Sequence, residues 1–119
     1  MIIRKPDMKV SVTDSCHGGV GELVCTELLG NYEKRDAGMK YVHDDTLAPG
    51  ASIGDHTHEG DEEIYIILDG RGTMLVDGSS EDVSAGDVCI TRSGHRHSLT
   101  NTGSAHMRLL VVGTALGGR

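Results

Sequence analysis

The segment at 50–70, GASIGDHTHEGDEEIYIILDG, brings together residue types that can bind a metal ion. His56 and His58 are separated by one residue, and a second pair with the same spacing, His95 and His97, follows later in the chain. Since alternate residues of a β-strand face the same side, each pair can direct two imidazoles toward one point. Imidazoles combined with carboxylates suit a divalent transition metal, which also satisfies polar groups that are costly to bury.

The acidic residues after the first histidine pair lead into an apolar strand, EIYIILD. On that strand Glu63, Tyr65 and Ile67 share a face by the same alternation. If this face and the two histidine faces all point into one interior, three strands deliver metal ligands to a single point. Glu63 is therefore a candidate ligand, with Glu62 as the alternative. Tyr65 is a candidate catalytic residue because its phenol could contact a substrate, although packing is the simpler role for a half-buried tyrosine.

The elements that must position these residues are predicted to be β-strands. Seventeen glycines interrupt the chain, no long stretch has the apolar stripe of a helix, and the absence of Phe and Trp leaves Ile, Val, Leu and Met for the core. Asp-Gly pairs in LDGRG, at 68–72, and VDGSS, at 76–80, predict tight hairpin turns. The charged segment 30–38 is predicted to be a surface loop. In an all-β sandwich or barrel, we predict strands at about 23–29, 39–47, 51–57, 62–68, 73–77, 87–92, 96–101 and 106–113.

Charge and composition restrict the partners that we expect. The formal net charge is -7, which argues against nucleic acid or an anionic membrane surface and leaves a small-molecule substrate. No apolar run is long enough to span a bilayer, and the first residues lack the apolar centre of a secretory signal, so we expect a cytoplasmic protein. Cys16, Cys25 and Cys89 are odd in number and lack CxxC spacing, which favours reduced cysteines over disulfides.

The spacing of the histidines and glycines resembles the two motifs of the cupin superfamily. The first motif, G-x5-H-x-H-x4-E-x6-G, is matched at Gly50, His56, His58, Glu63 and Gly70. The second motif, G-x5-P-x-G-x2-H-x3-N, is matched at Gly86, Gly94, His97 and Asn101. Arg92 stands where the family has proline, a departure that affects the rigidity of a turn but no ligand.

The resemblance implies a small single-domain cupin over residues 1–119, with the double-stranded β-helix or jelly-roll barrel of that superfamily. It implies one divalent transition metal ion held by His56, His58, Glu63 and His97. Glu63 is preferred over Glu62 because it alone leaves six residues before the motif glycine. Nitrogen and oxygen donors with open positions favour Mn, Fe or Zn, and Ni, Co or Cu also fit.

We expect a metal-dependent enzyme acting on a small oxygenated molecule, such as a sugar derivative or a hydroxy or keto acid, that chelates the metal. The reaction could be that of an isomerase or epimerase, a lyase or a dioxygenase, because fold does not choose among them. The alternative is a non-catalytic metal-containing module that binds or senses a small molecule. His95 is a candidate general acid or base, provided that its strand is regular and Gly94 introduces no bulge. His17, His43 and His106 are expected to be surface or hydrogen-bonded residues.

The apolar strand also indicates how the chain could assemble. Ile64, Ile66 and Leu68 lie opposite to the face that carries Glu63, so one apolar row points out of the barrel. A homodimer would bury that row. The N-terminal arm at about 1–14 is expected to contribute a strand, exchanged with the partner.

Overall fold

The computed structural model describes residues 2–30 and 38–116, and these residues form mainly β-strands. The strands are β1 Lys9–Asp14, β2 Glu22–Leu29, β3 Met39–Leu47, β4 Ser52–Thr57, β5 Asp61–Asp69, β6 Arg71–Val76, β7 Ser79–Ser84, β8 Val88–Thr91, β9 Arg96–Asn101 and β10 Met107–Ala115. Short 3-10 turns lie at Lys5–Asp7 and Cys16–Gly18. No helix of the described residues is long and apolar enough to cross a membrane. Most of the predicted loop at 30–38 lies outside the described residues.

Two antiparallel sheets make up the architecture. The larger has the strand order β1-β2-β3-β10-β5-β8, and the smaller has the order β4-β9-β6-β7. Both sheets contribute to one apolar core, which includes Leu47, Ile67 and Leu109 from the larger sheet and Met74 and Leu99 from the smaller. The all-β class and the two-layered arrangement predicted from the sequence are confirmed.

The second Asp-Gly pair forms the tight hairpin that was predicted. β6 and β7 pair up to Val76 and Ser79, with Asp77 and Gly78 between them. Both turn residues have positive φ, 49° and 81°, as a two-residue hairpin turn that follows the twist of its strands requires. The strand that follows, β7, is polar and exposed along most of its length, so no apolar alternation marked it in the sequence.

The hairpin predicted at LDGRG is wrong. Asp69 still belongs to β5, and the next strand, β6, lies in the other sheet. Gly70, with φ of 91°, carries the chain from one layer to the other past Met107. A Cβ atom at Gly70 would lie 3.0 Å from Met107 Cα, so this glycine serves a close crossing of two backbones.

The N-terminal arm forms a strand, as predicted, but within its own chain. β1 pairs with β2 along its whole length, from Lys9 opposite Glu27 to Asp14 opposite Glu22. It is the outermost strand of the larger sheet, and all six of its residues are exposed. The structure pairs this strand with the chain's own sheet, and its exchange with a partner stays a prediction.

Asn101, at the end of β9, is 1% exposed and forms hydrogen bonds with three backbone groups. Its Nδ2 donates to the carbonyl oxygens of Leu47 and Ala105, each at 2.9 Å, and its Oδ1 accepts from the Gly103 N–H at 2.9 Å. This motif asparagine therefore bonds to backbone.

Replacing Asn101 with Ala should lower the free energy of unfolding by about 2–3 kcal/mol, because buried backbone groups would lose their partners. Chemical denaturation of metal-free protein measures this without interference from ligand binding. The neighbouring exposed Thr102→Ala is the matched control and should change stability by less than about 0.5 kcal/mol. Equal stabilities of the two variants would contradict the proposed anchor.

Candidate metal centre

Four side chains from both sheets meet at the mouth of the barrel. His56 is on β4, His58 follows that strand directly, His97 is on β9 and Glu63 is on β5 of the opposite sheet. His56 and His97 are directly opposite each other in the β4–β9 register. We call these four residues the His/Glu centre. The structure thus brings together the four residues that the motifs nominated as metal ligands.

The donor atoms of the His/Glu centre are about as close together as hydrogen-bonded atoms. His97 Nε2 lies 3.1 Å from the Nε2 atoms of both His56 and His58. Glu63 Oε1 lies 3.1 Å from His58 Nε2, 3.0 Å from His97 Nε2 and 3.9 Å from His56 Nε2. Two ligands at right angles on a transition metal, each about 2.1 Å from it, are themselves about 3 Å apart. The spacing therefore fits ligands that share one ion.

The ring protons of these histidines point away from the centre. Nδ1 of His56 donates to the Gly54 carbonyl oxygen at 2.7 Å, and Nδ1 of His58 donates to Asp61 Oδ1 at 3.0 Å. Nδ1 of His97 lies 2.8 Å from the hydroxyl oxygen of Thr91. With the proton on Nδ1, each neutral ring directs the lone pair of Nε2 inward. Lone pairs and a carboxylate that converge without protons between them repel one another unless a cation separates them.

Protonation states in the centre suit metal binding. Burial lowers the pKa of His56, which keeps this imidazole neutral and its lone pair available. Burial alone would raise the pKa of Glu63, but its contacts with His97 and Tyr41 outweigh burial and lower the pKa to about 2. The neutral His56 imidazole and the ionised carboxylate, together with the Nε2 atoms of His58 and His97, form a donor set that could hold a divalent transition metal.

Tyr41, whose face could not be oriented from the sequence, belongs to this site. Its hydroxyl donates a hydrogen bond to Glu63 Oε2, the oxygen that does not face His58. Gly113 of β10 lies between Tyr41 and Glu63 in the strand register, and a Cβ atom there would overlap the Tyr41 ring. The missing side chain at Gly113 lets the ring cross β10 and fix the orientation of the carboxylate.

Tyr65 lies in the wall of the site and is 2% exposed. Its ring stacks on that of His97, with ring centroids 4.9 Å apart. Burial and the Glu63 carboxylate raise the pKa of its phenol well above the usual value. The contact with His97 shows packing, which the sequence suggested as the simpler role, and a catalytic role for Tyr65 stays a prediction.

The predicted orientation of His95 toward the metal is wrong. Its side chain is 54% exposed, and its Nδ1 is 2.5 Å from Asp77 Oδ2, in the hairpin between β6 and β7. β9 begins only at Arg96, so strand alternation does not extend back to His95. Gly94, with φ of 87°, forms a turn closed by the His95 N–H and the Arg92 carbonyl oxygen. This irregularity directs the imidazole outward.

The preference for Glu63 over Glu62 agrees with the geometry. The Glu62 carboxylate lies outside the barrel, 3.2 Å from the guanidinium of Arg92. Arg92, the residue that replaces the family's proline, is thus held by an exposed ion pair, and its turn is closed by backbone hydrogen bonds. The departure from the motif leaves the ligand cluster intact.

Two histidines expected to be surface or hydrogen-bonded residues line the same cavity as the His/Glu centre, namely His17 and His43. His17 stacks on His56 with ring centroids 3.8 Å apart and an interplanar angle of 11°. It sits in the Cys16–Gly18 turn with φ of 50°, in a segment whose Gly19 packs directly on the backbone of β4. The third, His106, is exposed as expected.

Sequence reasoning missed the residues that orient the imidazoles. Asp61 accepts from His58 and from Lys40 Nζ, at 3.0 and 2.6 Å, and is 8% exposed. Asp61 lies two residues before Glu63 and on the same face of β5, so the strand alternation that identified Glu63 could also have identified Asp61. Thr91 gave no such signal, because its contact with His97 joins strands of different sheets.

The His/Glu centre opens into a cavity of about 410 Å³. Besides His56, His58 and Glu63, the cavity is lined by residues of β1, β2 and β3, including Ser11, Cys25 and Asp45. Among the described residues that line it there is no Lys or Arg, whereas Glu27, Asp45 and Glu63 contribute carboxylates. A ligand in this cavity would therefore meet both the His/Glu centre and an acidic, thiol-containing wall.

Residues 44–113 match the family model described as the cupin domain, and this range contains the whole His/Glu centre. The chain belongs to the cupin family. The expected double-stranded β-helix, or jelly-roll, is confirmed for this cupin by its likeness to solved cupin structures.

A curated protein and a solved structure, both from Thermotoga maritima, resemble this cupin over nearly its whole length. An oxalate-binding protein is 38% identical over 117 residues, which span 94% of this chain and 92% of the relative. A crystal structure of a protein described as a predicted oxalate decarboxylase is 35% identical, with a TM-score of 0.87 over 98% of this chain and all of the other. The structure of KdgF from a Halomonas species is 10% identical with a TM-score of 0.76, covers 98% of this chain and 94% of that one, and shows the fold alone.

Replacing His58 with Ala in this cupin should remove most of the metal bound at the His/Glu centre. Because an ion that binds only the native state adds to stability, the melting temperature should also fall by roughly 10 °C at an ion concentration about a hundred times the dissociation constant. Elemental analysis of protein purified without added metal, together with thermal unfolding, measures both effects.

The matched control for this experiment is the exposed His106→Ala, which should keep its metal. A strong chelator should lower the melting temperature of the unmodified protein and of H106A by more than that of H58A. A full complement of metal in H58A would rule out the assignment of the centre.

Proposed function

We propose that this cupin binds, through a divalent metal ion held by His56, His58, Glu63 and His97, a small carboxylate that chelates through two neighbouring oxygens. The observation that carries the proposal is the convergence of four metal-donor atoms at the open end of a cavity. The relative that is 38% identical is named for binding oxalate, a molecule of this class. Oxalate is therefore the first ligand to test.

When bound, the ion would offer its remaining coordination positions to two ligand oxygens and polarise them. The chain's own residues prepare the site for this. Asp61 and the Gly54 carbonyl orient two of the imidazoles, and Tyr41 keeps the Glu63 carboxylate ionised and directed at the centre. Each of these contacts reduces the reorganisation that ligand binding would otherwise require.

The charge of the cavity makes the metal necessary for binding an anion. No Lys or Arg is among the described residues that line it, and three carboxylates are. An anionic ligand would be repelled by Asp45 and Glu27 unless a cation compensated, because charges in a partly enclosed site are weakly screened. The volume of about 410 Å³ also exceeds what oxalate needs, so larger 2-hydroxy or 2-keto acids belong to the proposed class.

A binding role ranks above catalysis in this proposal. His95, the residue nominated to move protons, lies outside the site and is bonded to Asp77. Catalysis, the second candidate, is favoured by the Tyr41 hydroxyl, which borders the cavity and could in principle transfer a proton to a ligand. Burial and the Glu63 carboxylate, however, raise the pKa of Tyr41 well above its usual value, so it holds its proton at neutral pH.

The metal that we propose is Mn, Fe or Zn. Three imidazoles and one carboxylate with open positions suit these ions, whereas a hard ion such as Mg²⁺ prefers an all-oxygen site. Elemental analysis of the protein isolated without added metal decides among them.

Metal-loaded protein should bind oxalate, and acetate should bind at least about tenfold more weakly, because acetate lacks the second carboxylate needed for two-point chelation. Titration calorimetry with both ligands measures the difference. H58A should bind neither, since it lacks the ion at the His/Glu centre through which the ligand oxygens would chelate. The exposed H106A variant is again the control and should bind oxalate like the unmodified protein.

Similar affinities for oxalate and acetate, or oxalate binding by metal-free protein, would contradict chelation at this site. The same samples, incubated with oxalate and assayed for carbon dioxide and formate, separate binding from decarboxylation. Turnover that disappears in H58A would favour the enzyme and place the binding role second.

We further propose that this cupin is a homodimer. The larger sheet has an outer apolar face formed by Ile64, Ile66, Val88, Ile90, Leu110 and Val112. Val88 and Ile90, on its edge strand β8, are 56% and 50% exposed, which is unusual for residues that continue an apolar row. Stacking two such faces would remove them from water.

Sedimentation at micromolar concentration should show a dimer, and Ile90→Glu should convert it to a monomer because the new carboxylate would be buried without a partner. Val20 is 60% exposed but lies away from the outer apolar face, so Val20→Glu is the matched control and should remain dimeric. An unmodified protein that sediments as a monomer would refute this arrangement.

A further inference from the structure

A second cluster of possible metal ligands lies in the same cavity, on the wall formed by β2 and β3. Cys25 of β2 is directly opposite Asp45 of β3, and His43 lies two residues before Asp45, on the same face of that strand. One ligand atom from each of the three residues lies within 4.8 Å of the others. We call these residues the Cys/His/Asp cluster. It shares no residue with the His/Glu centre.

Asp45 gives independent reason to look for a ligand here. The residue is 4% exposed, and within the described part of the chain its Oδ1 atom has no hydrogen-bond partner. A buried carboxylate oxygen without a partner is costly, and native proteins seldom keep one unless an ion, a water or a ligand satisfies it. Asp45 also lines the cavity, so a solute in the cavity can reach it.

We propose that Cys25, His43 and Asp45 form a second metal site, specific for a thiophilic divalent ion such as Zn²⁺, in the same cavity as the His/Glu centre. A thiolate, an imidazole and a carboxylate are the donor types that Zn²⁺ accepts, and three protein ligands leave one position open to the cavity. The proposal does not depend on the identity of the organic ligand.

Metal binding at this cluster would change the state of the thiol. Burial and the Asp45 carboxylate raise the pKa of Cys25 to about 12, so the free thiol is protonated at neutral pH. Coordination forms one metal–sulfur bond and releases the thiol proton to solvent, with no oxidant or reductant involved. Asp45 would then meet the cation with the oxygen atom that now lacks a partner.

Such an ion would also change the charge of the cavity. Asp45 and Glu27 form an acidic wall that no described Lys or Arg along the cavity offsets. A divalent ion at the Cys/His/Asp cluster would compensate these carboxylates, so that a ligand anchored at the His/Glu centre could direct a second anionic group toward the cluster.

Cobalt is the probe that separates the two sites. Co²⁺ bound to a thiolate gives a charge-transfer band in the near ultraviolet, and the His/Glu centre has no sulfur donor. Titrating chelator-treated, reduced protein with CoCl₂ should show two equivalents bound and the band with one of them. Cys25→Ser should abolish the band and retain one equivalent. His58→Ala should lose the other equivalent and retain the band.

Two further cysteines provide controls. Cys89→Ser should leave the band and the stoichiometry unchanged, because Cys89 does not line the cavity. Cys16→Ser tests the thiol that lines the cavity but lies outside the cluster, and its band should also persist. Asp45→Asn keeps all thiols and should weaken Co²⁺ binding at this site by roughly tenfold or more.

If C25S does not fold, mass spectrometry of alkylated unmodified protein replaces it, and a second equivalent of Zn²⁺ should protect Cys25 from iodoacetamide. One equivalent of Co²⁺ without the band, or a band that persists in C25S, would overturn the second site. The same holds if Cys25 remains equally reactive with and without Zn²⁺. None of these measurements uses oxalate, so failure of the proposed ligand would leave this result standing.

Discussion

The convergence of three imidazole lone pairs and one carboxylate between the two sheets is the constraint on which the rest of the site depends. Each ring must carry its proton on Nδ1, so each needs an acceptor behind it: Gly54, Asp61 and Thr91 lie at these positions. The acceptors, in turn, must be held by the strands and by Lys40. The distances of about 3 Å between the metal-donor atoms of the His/Glu centre therefore depend on backbone positions well outside that centre.

The ligand cluster was predictable because its members are separated by short, regular intervals. Strand alternation and motif spacing place Glu63, His97 and the first histidine pair together without knowledge of the loops. The same rule failed at His95, since alternation holds only inside a strand and Gly94 turns the backbone just before β9 begins. A glycine with positive φ just before a strand, such as Gly94, is enough to reverse the direction of the next side chain.

The features that the sequence did not predict depend on contacts between residues far apart in the chain. The Tyr41 hydroxyl reaches Glu63 across β10, which depends on the strand order β3-β10-β5 and on Gly113 between them. The Asp-Gly pair at LDGRG has the composition of a hairpin turn, but the core on both sides of Gly70 draws the next strand into the other sheet. In each case a packing partner far along the chain decides between local conformations that are similarly favourable.

The two metal-ligand clusters differ in how they are attached to the barrel. The His/Glu centre joins both sheets, since Glu63 belongs to one sheet and His56 and His97 to the other, whereas the Cys/His/Asp cluster lies wholly on β2 and β3. An ion at the His/Glu centre would link the two sheets and restrict their relative motion at the barrel mouth. An ion at the Cys/His/Asp cluster would link only β2 and β3 and would not restrict the motion of one sheet relative to the other. Occupancy of the His/Glu centre would therefore govern how readily the barrel mouth opens to a ligand.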